Sequence, residues 1–301
     1  MDRFESMSIL LAVVVAGSLS AASRSTGMPL ATVSRKISEL EAHLGTRLLN
    51  RSTRQLSLTE AGQSYVAACK RILEDVADAE RTAAGEYSHP RGDLIMTAPI
   101  VFGRLHVLPV VTAFLKTYPD IDIRLVLTDR VAHLLEDHLD LAVRIGQLPT
   151  SNFVARKVGT IGRVTCASPA YLAERGKPEQ PGDLADHDCI SFEGTNSGGA
   201  WTFPMATSDL SVPIHSRLIV NTAEAAIDAA IAGLGITRVL SYQAAAAVQA
   251  GSLTRLLQEF EPAPIPINLV HANQGLLPLK LRAFFDYAAP RLRDGLLIAS
   301  G

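Results

Sequence analysis

Thr32, Ser34, Arg35 and Ser38 crowd into one short run, and Arg51 and Arg54 follow in Arg51-Ser52-Thr53-Arg54. Hydroxyls and guanidinium groups with no carboxylate at the front of the run suit a nucleic acid, because they can meet base edges while neighbouring cations hold phosphates. A second set of polar groups lies far downstream. Thr128, Arg144, Gly146, Asn221 and Thr222 each follow or end an apolar run, and Pro99-Ile100-Val101-Phe102 opens a helical stretch. Backbone N–H groups at such a helix start can hold a small anion.

The first set needs a rigid carrier. Val33, Ile37, Leu40 and Leu44 recur at spacings of four, three and four, which gives a helix with one buried face and leaves Thr32, Ser34, Arg35 and Ser38 off it. Leu19 to Thr26 forms a shorter helix with small residues, and Gly27 can take the positive φ that ends it. Helix, tight turn, helix is the expected unit, as a DNA reader or as an ordinary helical hairpin in a core. Arg47 to Leu58 alternates apolar and polar residues around the basic tip, a β-ribbon placed where the wing of a winged helix-turn-helix stands. Upstream, Phe4, Met7, Leu11 and Val14 describe an amphipathic helix. The net-negative lead of Asp2, Arg3 and Glu5 argues against a signal peptide.

Thr59 should cap a long helix along which Tyr65, Cys69, Ile72, Val76, Ala79 and Ala83 mark a heptad seam. The seam fits either pairing with a second copy or burial on the chain's own body. Gly85, His89, Pro90 and Gly92 read as a hinge. From Asp93 onward strands alternate with helices: LIMTA, a helix over GRLHVLPVVTAFLKTYP, IDIRLVL, a short helix near Val131 to Asp137, and LDLAVRI. VTCAS, PAYLAERG, CISF, AWTF, RLIV, a helix over Ala223 to Leu234 and GITRVLS make a second unit. INLVHA and a helix from Pro278 to Arg293 return to the first. The expectation is parallel sheets in two lobes, with crossovers near Gly162 to Val164 and Pro264 to Asn268.

Composition narrows the function classes. The 301 residues carry a net charge of −2, yet residues 1 to 61 hold seven basic against five acidic side chains, a basic head on an acidic body. Cys69, Cys166 and Cys189 are scattered, as reduced thiols of a cytoplasmic protein would be, and no histidine spacing predicts a metal site. No cofactor is expected. There is no Gly-rich phosphate loop, no Gly-x-Ser-x-Gly elbow and no membrane-spanning run, so an enzyme or membrane protein is not expected. A solute-binding protein of a transport system would explain the lobes but not residues 19 to 54.

AGSLSAAS, VSRKISELEAHLGTRLLNRSTR and LSLTEAG, in that order, resemble the N-terminal domain of LysR-type transcriptional regulators. TAPIVFGRLHVLP, DLAVRIG and PAYLAERG resemble the effector-binding domain of the same family. The resemblance implies a winged helix-turn-helix at 1–61, a linker helix and hinge at 62–91, and a two-lobed periplasmic-binding-protein-like α/β domain at 92–301. Lobe I would be 92–163 with 268–301, and lobe II 164–267. It also implies partners: double-stranded promoter DNA, a small-molecule effector, a second copy through Tyr65, Cys69, Ile72, Val76 and Ala79, a tetramer as a dimer of dimers, and RNA polymerase. DNA contacts fall to Thr32, Ser34, Arg35, Ser38, Arg51 and Arg54. Effector contacts fall to Pro99, Ile100, Val101, Phe102, Thr128, Arg144, Gly146, Asn221 and Thr222. Many members carry a capping Ser or Thr followed by Gln or Pro at the start of the recognition helix. Pro29, Leu30 and Ala31 stand there in this chain.

Overall fold

The computed structural model describes residues 2–51, 56–83, 89–130, 134, 137, 139–148, 153–192, 199–205, 208–272 and 277–299. They fall into two compact units, Met1–His89 and Pro90–Gly301.

In the first unit α1 (Arg3–Ala16), α2 (Leu19–Thr26) and α3 (Leu30–Leu44) enclose Ile9, Leu10, Val13, Ala22, Val33, Ile37 and Leu40. Asp2 caps α1 by accepting from the Glu5 N–H at 3.2 Å, and Ser18 caps α2 by accepting from the Ala21 N–H at 3.1 Å. Gly27, at φ 68, turns the chain into α3. The buried face of α1 is Ser6, Met7, Ile9, Leu10 and Val13, rotated from the expected one, and Phe4 is left half exposed. An unbroken apolar run from Ile9 to Ala16 gives no sharp stripe, so packing against two neighbouring helices decides the rotation.

β1 (Leu49–Arg51) pairs antiparallel with β2 (Leu56–Leu58), Arg51 opposite Leu56. Glu41 ties this ribbon to α3, its Oε1 accepting from the N–H groups of Leu48 and Leu49 at 2.9 and 3.1 Å. The long helix α4 (Glu60–Ala83) starts on Thr59, whose Oγ1 accepts from the Gly62 N–H at 2.9 Å. A Cβ at Gly62 would lie 2.1 Å from the Leu48 carbonyl oxygen, so the helix start can meet the ribbon only through a glycine.

In the second unit β3 (Gly92–Ala98) feeds a continuous helical run of α5 (Ile100–Phe102), a π-helical turn (Gly103–Val107) and α6 (Leu108–Thr117). β4 (Ile121–Leu127), β5 (Leu141–Ile145) and β6 (Phe153–Ile161) follow. Then come β7 (Arg163–Ala167), α7 (Pro169–Arg175), β8 (Asp188–Phe192), β9 (Ala200–Phe203), β10 (Leu210–Pro213), β11 (His215–Val220) and α8 (Ala223–Ile231). β12 (Ile236–Leu240), α9 (Ser241–Gln249), β13 (Thr254–Leu256), β14 (Ile265–Ala272) and α10 (Leu279–Ala299) complete the chain.

Two five-stranded sheets result, β4-β3-β5-β14-β6 in lobe I and β11-β8-β12-β7-β13 in lobe II. They are mixed where parallel sheets were expected. β14 runs antiparallel to both β5 and β6, and β7 is antiparallel to β12 and β13. The chain passes directly between lobes at Gly162, so β6 and β7 enter their sheets without the helical crossover that a parallel pair requires. β14 already pairs at Ile265 with Ile161, which puts the second crossover at the start of the expected stretch, Pro264 to Asn268, and gives residues 265–267 to lobe I. The short helix expected near Val131 to Asp137 lies outside the described residues, apart from Leu134 and Asp137. Ile100–Thr117 is long and apolar enough to cross a membrane by length and composition, where no such run was expected. Its Val101, Phe102, Val107, Val111 and Phe114 are instead core residues of lobe I.

Candidate functional site

Two sites emerge, one in each unit. In the first, α3 turns Val33, Ile37 and Leu40 into the core, so Arg35 and Ser38 come out exposed, with Thr32 and Ser34 at the margin. Arg35 holds Glu39 across one helical turn at 2.9 Å, and its own side chain is 62% exposed. Lys36 reaches back to Glu5 on α1, which fixes the rotation of α3. Arg51 sits on β1; Arg54 lies outside the described residues.

The expected seam on α4 divides along its length. Cys69 is fully buried in the first unit's own core and Tyr65 packs against it, so this part of the stripe is covered within the unit and is corrected from seam to core. Burial pushes up both the Cys69 thiol and the Tyr65 phenolic hydroxyl. Ile72 is 39% exposed, Ala79 is exposed and Val76 is half-buried. The same periodicity thus serves two ends: core near Thr59, open surface further on.

The second site is a pocket of about 270 Å³ at the carboxyl ends of β3, β4 and β5. β3 lies between its sequence successors β4 and β5 in the sheet, so the chain leaves it in opposite directions, the point at which open sheets leave a crevice. Pro99, Thr128, Arg144 and Gly146 line it as expected from their strand-end positions. Gly146 takes φ 121, a conformation that L side chains rarely adopt, and its N–H donates to the Pro266 carbonyl at 2.9 Å. The Arg144 guanidinium lies 5.9 Å from the centre of the Phe153 ring.

The remaining expected residues fall elsewhere. Val101 and Phe102 point into the lobe I core, 5% and 0% exposed. The backbone N–H groups expected to meet a carboxylate run from Val101 to Gly103; one residue before them the Ile100 N–H donates to Asp129 Oδ1 at 3.0 Å, so the protein supplies its own carboxylate at this helix start. Asn221 and Thr222 are on lobe II outside this pocket, and Thr222 caps α8 by accepting from the Ala225 N–H at 3.3 Å. Residues that the sequence did not single out also line the wall, among them Thr97, Asp129, Arg130, Gln147 and Leu148. The signal available for Asp129 was its place two residues beyond the regular strand IDIRLVL.

The lobes meet beside this pocket. Tyr242 of α9 packs edge-on to Phe102 and His106 at centroid distances of 5.4 and 5.7 Å, and Arg104 reaches Glu224 of α8 at 2.7 Å. Burial, with the Asp129 charge adding to it, pushes the Tyr242 hydroxyl up, so it stays protonated. His106 is lowered by burial, and its Nε2 has no hydrogen-bond partner. Elsewhere, Cys166 and Cys189 are buried and pushed up to about 12, so they are unreactive thiols. Among the described residues no cluster of His, Cys, Asp or Glu could hold a metal ion.

Comparison with known proteins gives a consistent picture. Residues 4–63 match the family described as bacterial regulatory helix-turn-helix protein, lysR family, and residues 88–293 match the LysR substrate binding domain. The chain is 35% identical over 288 residues to an HTH-type transcriptional regulator of Xanthomonas campestris pv. campestris, covering 94% of this chain and 84% of the relative. It is 33% identical to an HTH-type transcriptional repressor of Pseudomonas aeruginosa, covering 95% and 91%. The solved structure of CrgA, a LysR-type transcriptional regulator from Neisseria meningitidis, is 31% identical with a TM-score of 0.61, covering 96% of this chain and 98% of that one.

Proposed function

We propose, since the chain belongs to the LysR family of bacterial transcriptional regulators, that the pocket at the strand ends of lobe I receives its effector and that the exposed face of α3 reads its operator. Members of this family are DNA-binding regulators, not enzymes; they bind promoter DNA and small-molecule effectors and are oligomeric. The observation that carries the proposal is the pocket itself. It gathers Thr97, Thr128 and Arg144 within about 270 Å³, beside the contacts that join the lobes. A small ligand with an anionic group fits it, the anion meeting Arg144 and the two threonine hydroxyls supplying further hydrogen bonds.

Thr32, Ser34, Arg35 and Ser38 take the base edges, and Arg51 and Arg54 the phosphates or the adjacent minor groove. A homodimer through the open part of α4, doubling to a tetramer, would set two reading heads on two half-sites. The protein would work in the cytoplasm, with RNA polymerase as its further partner. Differential affinity of the ligand for two arrangements of the lobes is then enough to change promoter binding. A thermal-shift screen of the full chain against small carboxylates tests the pocket. A hit at one hundred times its Kd stabilises by roughly 2.7 kcal/mol, and Thr128→Val and Arg144→Gln should each weaken it. A hit indifferent to both variants would place the effector elsewhere.

A further inference from the structure

The wall of the lobe I pocket carries opposite charges on its two sides. β3 lies between β4 and β5, so Asp129, two residues beyond β4, and Arg144, on β5, stand on elements whose axes are two strand spacings, roughly 10 Å, apart. Asp129 accepts from the Ile100 N–H through Oδ1, and a carboxylate has a second oxygen for another donor. Among the described residues it makes no ion pair, not even with its neighbour Arg130. The threonines of the wall add one acceptor and one donor. Thr97, on β3 between Val126 and Ala142, gives its hydroxyl proton to the Val126 carbonyl at 2.9 Å, so towards a ligand it can only accept. Thr128 accepts from the Arg130 N–H at 3.2 Å and keeps its proton to donate.

An anion alone satisfies only one side of this wall. A plain carboxylate on Arg144 leaves Asp129 unpaired and sets a second negative charge in the same pocket. A ligand that carries an ammonium as well meets both groups with charge-assisted hydrogen bonds. We propose that the effector is a small amino acid, its ammonium held by Asp129 and its carboxylate by Arg144, with Thr97 and Thr128 supplying an acceptor and a donor beside them. This rests on the reading of the pocket as the effector site and names the ligand class that the site selects. Asp129 also joins the pocket to the lobe contact, because its charge acts on the Tyr242 hydroxyl of α9. A cation set against Asp129 is therefore felt in both lobes.

The test is a thermal-shift screen followed by calorimetry on the full-length protein. The standard amino acids, β-alanine and 4-aminobutyrate are screened, and each that stabilises is set against the acids in which a hydroxyl or a hydrogen replaces its amino group. For the wild-type chain the amino acid should bind about ten-fold or more tightly than either counterpart, the effect of one charge-assisted hydrogen bond. Asp129→Asn keeps an oxygen for the Ile100 N–H and removes the charge, so it should abolish that preference without weakening the plain acid. Arg144→Gln should weaken amino acid and plain acid alike. No stabilisation by any amino acid, a plain acid that binds as tightly as its amino counterpart, or a preference that survives Asp129→Asn overturns the proposal. Hits that still respond to Arg144→Gln then keep the pocket as the effector site. A hit indifferent to both Arg144→Gln and Thr128→Val overturns both readings. The wild-type comparison depends on no variant, so a misfolded Asp129→Asn chain does not shelter the proposal.

Discussion

Arg35 and Arg51 belong to one unit but should fail in different ways. Arg35 is held by Glu39 on the next turn, and an exposed pair of that spacing is worth about 0.3–0.5 kcal/mol, so it can exchange the carboxylate for a base edge. Arg35→Ala is expected to cost about 1–3 kcal/mol on the preferred operator and to relax its sequence preference. Arg51→Ala should weaken all duplexes evenly and reduce the slope of log affinity against log salt by about one. Anisotropy titrations of one promoter fragment and one unrelated duplex across a salt series separate the two. Identical salt slopes for wild type and Arg51→Ala would remove the phosphate assignment. At this scale the sequence was most informative where a residue ends a strand, as Thr128, Arg144 and Gly146 do. An argument from backbone N–H groups says nothing of where side chains go: those of Val101 and Phe102 fill the lobe I core, and Asp129 takes the Ile100 N–H just before them.

At the scale of elements, α4 carries one stripe with two kinds of cover. Ile72→Glu should dissociate the dimer without unfolding the first unit, because Ile72 is exposed there and a charge placed in a paired seam loses its water. Sedimentation at several concentrations checks it, and an unchanged profile counts against the seam. Periodicity foretold the stripe but not that Cys69 joins the core of the first unit, since a core face and a dimer face share the same repeat. β6 escaped the sequence reading because Val154, Ala155, Arg156 and Lys157 are all exposed and break the expected alternation, and α9 because its alanines draw no stripe. The contact between lobes gives a pH prediction. His106 is lowered from the ordinary 6.5 by burial, so the unfolded chain binds its proton first. Its contribution is intact above pH 6.5 and is lost as pH falls from there through the lower folded value. The melting temperature of wild type should therefore drop more steeply below pH 6.5 than that of His106→Phe. Parallel profiles would show that His106 titrates as it does in the unfolded chain.

For the molecule as a whole, the sequence divides the chain into a basic head and an acidic two-lobed body, and the structure has two compact units, Met1–His89 and Pro90–Gly301. What the sequence could not supply was strand direction. Antiparallel β14 and β7 follow from where the chain crosses between lobes, a long-range fact that no local pattern encodes. Effector and operator are linked: an effector that changes affinity for the operator has its own affinity changed by the operator in the same ratio. The central claim, that α3 is the output of a promoter-binding regulator, is tested most directly by mapping genome-wide the sites bound by the wild-type chain and by Arg35→Ala. The wild-type map should show a small set of sharp promoter sites sharing two half-sites, lost or scattered in the variant. No enrichment at promoters, or an identical map for both proteins, would contradict it.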